Sequence, residues 1–213
     1  MKLLPVALNV QDERCLIVGG GAVAQRKAKS LLECGSRVAV IAPALCDSFA
    51  PLHAHIEYSE RAFQEGDCRG HRLVFACTDD RAVNETVARE ASALGIWCNV
   101  ADDPAGSAFH SAAVVRRGDI CVGITTAGSS PALSRHLKEQ IETCLGPEYS
   151  DLLDIMGARR SALLQGLQQQ SDRAKIWRAV LESETLQLLK NGDHAAAEVL
   201  VDELIQQRRE NEM

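Results

Sequence analysis

Short apolar segments alternate with stretches of helical periodicity along the first half of the chain. The segments predicted as buried strands lie at residues 15–18, 37–43, 55–59, 72–77 and 96–100. Helical patterns at Ala22 to Cys34 and at Arg81 to Leu94 follow the first and the fourth of these segments, and a glycine closes each helix. Alternation in this order predicts an α/β fold built on a parallel, doubly wound, Rossmann-like sheet.

The pattern changes near Pro104. Two apolar stretches at 108–115 and 119–126 are joined by a short polar link, which predicts an antiparallel pair of strands. Residues 129–146 have the pattern of a helix with a serine cap and a proline at its first position, and apolar residues at helical spacing dominate the remainder. We therefore predict a Rossmann-like domain at 1–112, a strand pair with a helix at 113–146 and a helical region at 147–213.

Charge and composition exclude several classes of protein. The 213 residues carry a formal net charge of −6, which gives no general attraction for nucleic acid or for an anionic membrane. The chain begins without a signal-peptide pattern, and its apolar runs fall short of the roughly 20 residues that a membrane span needs. We expect a cytoplasmic protein with neither nucleic acid nor a membrane as its partner.

The cysteines and histidines do not indicate a metal site. The eight cysteines are scattered singly with no C-x-x-C pair, and several lie in apolar runs, where free cysteine behaves as a small buried hydrophobe. The six histidines show no metal-ligand spacing, and His53 and His55 are expected at the surface. The sequence therefore predicts no bound metal.

Residues 13 to 24 read ERCLIVGGGAVA, so that three glycines separate the first predicted strand from the first helix. Gly19, Gly21 and Ala24 fill the G-x-G-x-x-G/A positions of a dinucleotide fingerprint, in which the backbone approaches a pyrophosphate. A glycine-rich turn without a ligand is the alternative. The second strand ends at Ala42 and Pro43, with no acidic residue for the ribose and no arginine for a 2′-phosphate, which favours NAD over NADP.

Polar residues follow the fourth and fifth predicted strands. Thr78 and Asp79 precede the second helix, where helix capping is one explanation of them. Asn99, Asp102 and Asp103 follow the fifth strand. Because the carboxyl ends of parallel strands form the ligand crevice of an open α/β sheet, we expect both groups beside the glycine loop. Composition leaves open whether the acidic pair is catalytic or part of a solvated loop.

Longer blocks carry a resemblance to a known family. The chain contains, in order, CLIVGGGAVAQRKAKSLLECG, ACTDDRAVN, CNVADDP, SAFHSAAVVRRGDICVGITTAGSSPALSRHLKEQIE and a helical region with GARR and KIW. In these blocks it resembles the precorrin-2 dehydrogenase / sirohydrochlorin ferrochelatase family, the N-terminal part of siroheme synthases. The likeness covers nearly the whole chain. It implies an NAD-binding Rossmann domain at 1–112, a dimerisation region at 113–146 and a helical domain at 147–213 that closes the substrate pocket.

The resemblance also implies a reaction and its participants. Precorrin-2 would lose two hydrogens to NAD⁺ to give sirohydrochlorin, and some members of the family then insert Fe²⁺ to form siroheme. The expected partners are a tetrapyrrole substrate, Fe²⁺ as a second substrate where iron is inserted, and a second copy of the chain in a homodimer. The methyltransferase domain of larger siroheme synthases is not expected in these residues. An NAD-sensing module without turnover and a structural dimer without catalysis are the alternatives.

Individual residues receive predicted roles from the motifs and from the resemblance. The resemblance implies that Asp102 is the carboxylate that accepts a proton as hydride leaves, with Asp103 as its loop neighbour. The residues predicted to bind the cofactor are Gly19, Gly20, Gly21, Ala22, Val23, Ala42, Pro43, Thr78 and Asp79. Those predicted to bind the substrate are Asn99, His110 and Thr126. Contact with a metal is the alternative for His110, and Thr126 is at a position where similar proteins often have serine. Weaker candidates for the substrate carboxylates, each with a solvated surface as the alternative, are Arg116, Arg117, Arg135, Lys138, Arg159 and Arg160.

Overall fold

The computed structural model describes residues 2–166 and 169–210, which form two compact units. The first unit runs to Ser111 and also includes Ala127–Ser129, and the second comprises Ala112–Thr126 and the described residues from Ser130 onward. Each unit has a hydrophobic core of its own. The division into three parts at residues 112 and 146 stays a prediction.

The first unit contains a five-stranded parallel sheet, which confirms the predicted fold class. Its strands are β1 (Arg14–Val18), β2 (Arg37–Ala42), β3 (Ile56–Glu60), β4 (Leu73–Ala76) and β5 (Trp97–Val100), in the spatial order β3-β2-β1-β4-β5. The strand order reverses between β1 and β4, where Val18 pairs with Ala76. Loops that leave the carboxyl ends of two such strands diverge and open the crevice that holds ligands in doubly wound folds.

Helices α1 (Ala22–Glu33) and α2 (Arg81–Ala93) lie on opposite faces of this sheet. Ile17 of β1 belongs to the core that contains α1, and the adjacent Leu16 belongs to the core that contains α2. Both side chains are fully buried, which explains why β1 is a continuous apolar run and not an alternating one. A 3₁₀ helix at Asp47–His55, which the hydrophobic pattern did not predict, precedes β3.

The second unit begins with the predicted antiparallel strand pair, β6 (Ala113–Arg117) and β7 (Ile120–Ile124). Helix α3 (Pro131–Cys144) follows this pair. The Ser130 hydroxyl accepts a hydrogen bond from the Leu133 backbone N–H at 3.2 Å, and proline occupies the first helical position. Both observations confirm the predicted start of this helix.

Further helices follow in the described chain: α4 (Glu148–Gly166), α5 (Gln170–Glu182), α6 (Thr185–Lys190) and α7 (His194–Glu210). Their apolar side chains form one core, in which Leu163 and Ile176 are among the largest fully buried residues. This confirms the helical character predicted beyond residue 147. None of the helices within residues 2–166 and 169–210 has the length and apolar composition that crossing a membrane requires.

Candidate active site

Two of the three consecutive glycines are required by the packing of neighbouring loops. Gly19 is buried at the end of β1 with φ +123°, and a Cβ atom there would overlap the carbonyl group of Cys77. A Cβ atom on Gly20 would overlap the carbonyl oxygen of Ala44, and the Gly20 carbonyl accepts a hydrogen bond from the Cys46 N–H at 2.9 Å. The glycine loop is thus held between the loops that follow β2 and β4, because only glycine lets these backbones approach so closely.

Gly21 differs from its neighbours, because the fold does not require a glycine there. Its φ is −81°, it is exposed, and a Cβ atom would meet no other atom within 4 Å. It caps α1 without a side-chain hydrogen bond, and the first N–H groups of the helix, including those of Ala22 and Val23, have no acceptor within the helix. Open space before the positive end of a helix suits an anionic group such as a pyrophosphate.

The end of β2 borders the glycine loop, and the cofactor-binding roles of Ala42 and Pro43 stay predictions. Ala42 is buried and lies beside Gly20, since a Cβ atom built on that glycine would come within 3.1 Å of the Ala42 side chain. The Ala42 carbonyl accepts a hydrogen bond from the Tyr58 hydroxyl at 3.1 Å, and Pro43 is exposed. Neither Ala42 nor Pro43 offers a charged group to a ribose or to a 2′-phosphate.

A buried asparagine, which sequence analysis missed, holds the turn after β4. The Asn84 amide donates to the Thr78 carbonyl at 2.8 Å, and its oxygen accepts from the Thr78 N–H and hydroxyl at 3.1 and 2.8 Å. Asp80 caps α2 by accepting from the Ala82 N–H at 2.8 Å, and Asp79 beside it is exposed. The Thr78 hydroxyl therefore stabilises the turn, and the cofactor-binding roles of Thr78 and Asp79 stay predictions.

A signal for Asn84 was present in the sequence. On α2 it shares the buried face with Val87 and Ala91, which follow at helical spacing. A polar residue on the apolar face of a helix must find hydrogen-bond partners inside the protein, because burial without them is costly. The amphipathic pattern of α2 therefore indicated an internal hydrogen-bonding role for this residue.

Asp102 and Asp103 are adjacent and have different environments. Asp102 is exposed in the turn that leaves β5 and adopts φ +60°, in the left-handed region. The Asp103 carboxylate accepts hydrogen bonds from the N–H groups of Ala105 and Gly106 at 3.1 and 3.0 Å, which closes the turn. Within the described residues no hydrogen bond engages the Asp102 carboxylate. The geometry thus gives Asp103 a structural role and leaves Asp102 available to a ligand.

After this turn the chain runs back along β5 as the return segment (residues 107–111). The Ala108 N–H donates to the Cys98 carbonyl at 2.8 Å, and the buried Asn99 amide donates to the Phe109 carbonyl at 2.9 Å. The predicted strand at 108–115 is therefore wrong in its first part, because these residues hydrogen-bond to β5 and not to β7. The Asn99 amide, predicted to bind the substrate, serves to hold the return segment.

Charged groups act on Cys77, which follows β4 beside the glycine loop. Burial raises the pKa of the Cys77 thiol to about 11, and Lys27 lowers this pKa while Asp102 raises it. The thiol is therefore protonated at neutral pH and is not a nucleophile. These opposing effects show that Lys27 and Asp102 are both within electrostatic range of the same edge of the sheet.

His110 and Thr126 were predicted to bind the substrate. His110 lies in the return segment, and its Nε2 atom is buried without a hydrogen-bond partner in the described part of the chain. Thr126 follows β7, and its hydroxyl accepts from the Ser130 N–H at 3.1 Å and lies 3.2 Å from the Ser134 hydroxyl. The Thr126 hydroxyl therefore stabilises the turn before α3, and the substrate roles of both residues stay predictions.

Several basic residues considered for the substrate carboxylates have partners within the second unit. Arg117 donates to a backbone carbonyl at 2.8 Å, and Lys138 lies 3.6 Å from a carboxylate oxygen of Glu142. Arg159 forms a two-point ion pair with Asp202, at 2.5 and 2.8 Å. A substrate carboxylate would have to compete with these partners, which favours structural roles for the three residues.

The described residues contain no group of three or more His, Cys, Asp or Glu side chains arranged to hold a metal ion. The prediction that no metal is bound stays a prediction. All eight cysteines are free thiols, four of them buried.

Comparison with known proteins gives the family. A family model described as putative NAD(P)-binding matches residues 6–113, and one described as sirohaem synthase dimerisation region matches residues 148–205. The chain is 34% identical over 207 residues to the siroheme synthase of Chromobacterium violaceum, a match that covers 96% of this chain and 44% of that protein. The chain belongs to the family of putative NAD(P)-binding proteins, and it is similar to siroheme synthases over the part of their length that it spans. This confirms the resemblance found in the sequence blocks.

Further comparisons show how much of each similar protein the chain covers. The siroheme synthase of Methylococcus capsulatus is 36% identical over 200 residues, which cover 93% of this chain and 42% of that protein. The chain thus spans less than half the length of these siroheme synthases. A solved structure described as SirC, precorrin-2 dehydrogenase, has a TM-score of 0.73 at 21% identity, covering 94% of this chain and all of that chain. At this identity the likeness shows a shared fold.

Proposed function

We propose that this chain oxidises precorrin-2 to sirohydrochlorin with NAD⁺ as the hydride acceptor. One observation carries the proposal: the open helix N-terminus at Gly21 and the carboxylate of Asp102, which no described residue engages, lie at the same edge of one sheet. The siroheme synthase relatives and the fold shared with a precorrin-2 dehydrogenase support this choice of substrate.

The proposed reaction removes two hydrogens from precorrin-2, one as a hydride and one as a proton. Bound NAD⁺ supplies the acceptor for the hydride. The backbone at Gly21 holds the pyrophosphate, since hydrogen in place of a side chain lets the N–H groups of the helix approach it. The Asp102 carboxylate accepts the proton as a general base, and the closed turn at Asp103 fixes the backbone that carries it.

Anaerobic incubation of the chain with precorrin-2 and NAD⁺ tests this function. The visible spectrum should change to that of sirohydrochlorin while the absorbance of NADH appears. NAD⁺ binding without any turnover of precorrin-2 would contradict the proposal and would favour an NAD-sensing module.

We propose metal insertion into sirohydrochlorin as a second activity of the same site. Insertion of Fe²⁺ releases two pyrrole protons, and Asp102 is a carboxylate placed to accept them. The siroheme synthase relatives support this step, since siroheme is the iron-containing product. Supplied sirohydrochlorin with Fe²⁺ or Co²⁺ should be metallated faster with the chain than without it, and equal rates would reject the activity.

We expect NAD⁺ to bind about tenfold or more tightly than NADP⁺. No cationic side chain follows Ile41 at the end of β2, where Ala42, Pro43 and Ala44 stand. The extra phosphate of NADP⁺ would therefore lose water without gaining a charge-assisted hydrogen bond, which is worth about 1.5–3 kcal/mol. Titration of both nucleotides into the same preparation measures the ratio, and equal or tighter binding of NADP⁺ would contradict the expectation.

We expect a homodimer. A family model named for dimerisation matches residues 148–205, whereas the resemblance places the dimerisation region at 113–146. Within 113–146, the side chains of Leu133 and Leu137 on α3 are 47% and 39% exposed. Light scattering at micromolar concentration should give about twice the 23.1 kDa chain mass. Joint replacement of Leu133 and Leu137 by aspartate should produce monomers if α3 is at the interface. A fully active monomer of the parent chain would contradict the expectation.

We propose a cytoplasmic location. Free cysteines persist in reducing compartments, and all eight cysteines of this chain are free thiols. Cell fractionation with a compartment marker tests the location, and recovery of the chain outside the cytoplasm would contradict it.

A further inference from the structure

Lys27 on α1 is half-buried beside the candidate site, and the proposed reaction does not use it. Its Nζ atom donates to the Ser111 hydroxyl at 2.5 Å and lies 5.6 Å from the ring centroid of Phe75 on β4. The Phe75 ring in turn packs edge-to-face against Phe109, with 5.3 Å between the ring centroids. Lys27 therefore reaches from α1 across β4 to the return segment.

The Lys27 ammonium group has lost water without gaining an anionic partner in the described part of the chain. Burial lowers the pKa of Lys27, Cys77 acts in the opposite direction and raises it, and the neighbouring Arg26 lowers it. None of the carboxylates whose side chains the structure describes forms an ion pair with Lys27, whereas Lys29 on the same helix pairs with Glu33. The Ser111 hydroxyl and the face of the Phe75 ring offset part of the free-energy cost of this lost hydration. An anionic ligand would offset the rest of that cost.

The position of Lys27 connects it to the candidate site. Lys27 and Asp102 both act electrostatically on the thiol of Cys77, and the Cys77 carbonyl packs against Gly19 of the glycine loop. The chain as a whole has a net charge of −6, so its overall field does not attract an anion. An anionic ligand at this edge therefore needs a cation placed locally.

We propose that Lys27 is an anion-binding residue of the candidate site, held in place by Ser111 and Phe75. It receives either a carboxylate of the tetrapyrrole or a phosphate of the nucleotide, and the identity of these two ligands rests on the proposed function. The Ser111 hydroxyl accepts a hydrogen bond from Lys27, and its own proton is free to be donated to the same anion. One charge-assisted pair and one hydrogen bond would hold the ligand oxygen.

Substitution of Lys27 by methionine tests the proposal, because methionine keeps an unbranched apolar side chain and removes the charge. The matched control is Lys29→Met, which removes the same charge two residues away on an exposed part of α1. Lys27→Arg keeps the charge and should restore at least part of the binding. NAD⁺ affinity is measured by titration and precorrin-2 binding by KM, with thermal melting to establish that each variant is folded.

We expect Lys27→Met to raise one of these two constants about tenfold or more, as expected for one charge-assisted hydrogen bond. A rise in KM for precorrin-2 identifies a substrate carboxylate, and a rise in the NAD⁺ dissociation constant identifies a nucleotide phosphate. Unchanged constants in Lys27→Met would overturn the proposal. It would also be overturned if Lys29→Met had the same effect as Lys27→Met, or if Lys27→Arg lost as much affinity as Lys27→Met, because the effect would then not come from the charge at residue 27.

A second measurement on the parent chain does not depend on turnover or on the folding of a variant. Acylation of Lys27 by an activated ester, read by mass spectrometry, should slow about tenfold or more in the presence of one of the two ligands, relative to Lys29. A bound anion favours the protonated ammonium form, and only the free amine has the lone pair that attacks the ester. If the chain binds without oxidising precorrin-2, the proposed function fails while this comparison still decides the role of Lys27. Equal acylation with and without both ligands would overturn that role.

Discussion

Exchange of Asp102 for asparagine should slow oxidation of precorrin-2 by about 10²- to 10⁴-fold, the usual contribution of a general base. Asparagine has the same size, and it is among the residues that best tolerate a positive φ such as the +60° of Asp102, so the turn should keep its shape. Anaerobic turnover at saturating NAD⁺ measures the rate. A parallel NAD⁺ titration should give the affinity of the parent chain, because the substitution removes basicity and leaves the glycine loop unchanged.

The adjacent Asp103 supplies a matched control. Asp103→Asn keeps a side-chain oxygen that can accept from Ala105 and Gly106, so we expect a mild effect on the rate. Asp103→Ala removes both hydrogen bonds and should loosen the turn. If Asp103→Asn proved the sensitive variant, or if Asp102→Asn oxidised precorrin-2 at the parent rate, Asp102 would not be the base.

Replacement of Gly21 by aspartate should weaken NAD⁺ binding by orders of magnitude while the protein stays folded. The new carboxylate would stand where the backbone is expected to meet pyrophosphate, and it would repel that group. The fold should tolerate the change, because Gly21 has φ −81° and a Cβ atom there meets nothing within 4 Å. NAD⁺ titration and thermal melting of the variant measure the two effects separately.

Substitution of the neighbouring Gly20 should instead lower the stability of the fold. Even an alanine at Gly20 would overlap the carbonyl oxygen of Ala44, so we expect a loss of stability of about 1–3 kcal/mol, measured by urea unfolding. Parent-like NAD⁺ affinity in Gly21→Asp would remove the glycine loop from the cofactor site. Parent-like stability in Gly20→Ala would show that the loop after β2 can move away.

The elements that the sequence predicts correctly are those encoded by local pattern. β1 is a continuous apolar run because both of its faces are buried, as Leu16 and Ile17 show, and this marks a parallel sheet. The start of α3 follows from Ser130 and Pro131, whose capping chemistry is local. The glycine loop is recognisable because its position between a strand and a helix restricts the explanations for three glycines.

What the sequence does not predict depends on contacts between distant segments. Residues 108–112 have the apolar pattern of a strand, yet the Asn99 amide and the backbone of β5 hold the start of this stretch in the return segment. Asp102 and Asp103 likewise cannot be told apart in the sequence, because they are the same residue type side by side. They differ in the structure because the turn hydrogen-bonds to the carboxylate of Asp103. Lys27 is one of 23 basic residues in the sequence, and only the fold reveals that it has no ion pair with the side chains that the structure describes.

The most direct test of the account is a count of products in one anaerobic reaction that contains the chain, precorrin-2 and a limiting amount of NAD⁺. We predict that one NADH appears for each sirohydrochlorin formed, that Asp102→Asn gives the same ratio at a rate lower by about 10²- to 10⁴-fold, and that Gly21→Asp gives neither product at this NAD⁺ concentration. Sirohydrochlorin formed without NADH, or NAD⁺ bound without either product, would contradict the claim that this chain is an NAD-dependent precorrin-2 dehydrogenase.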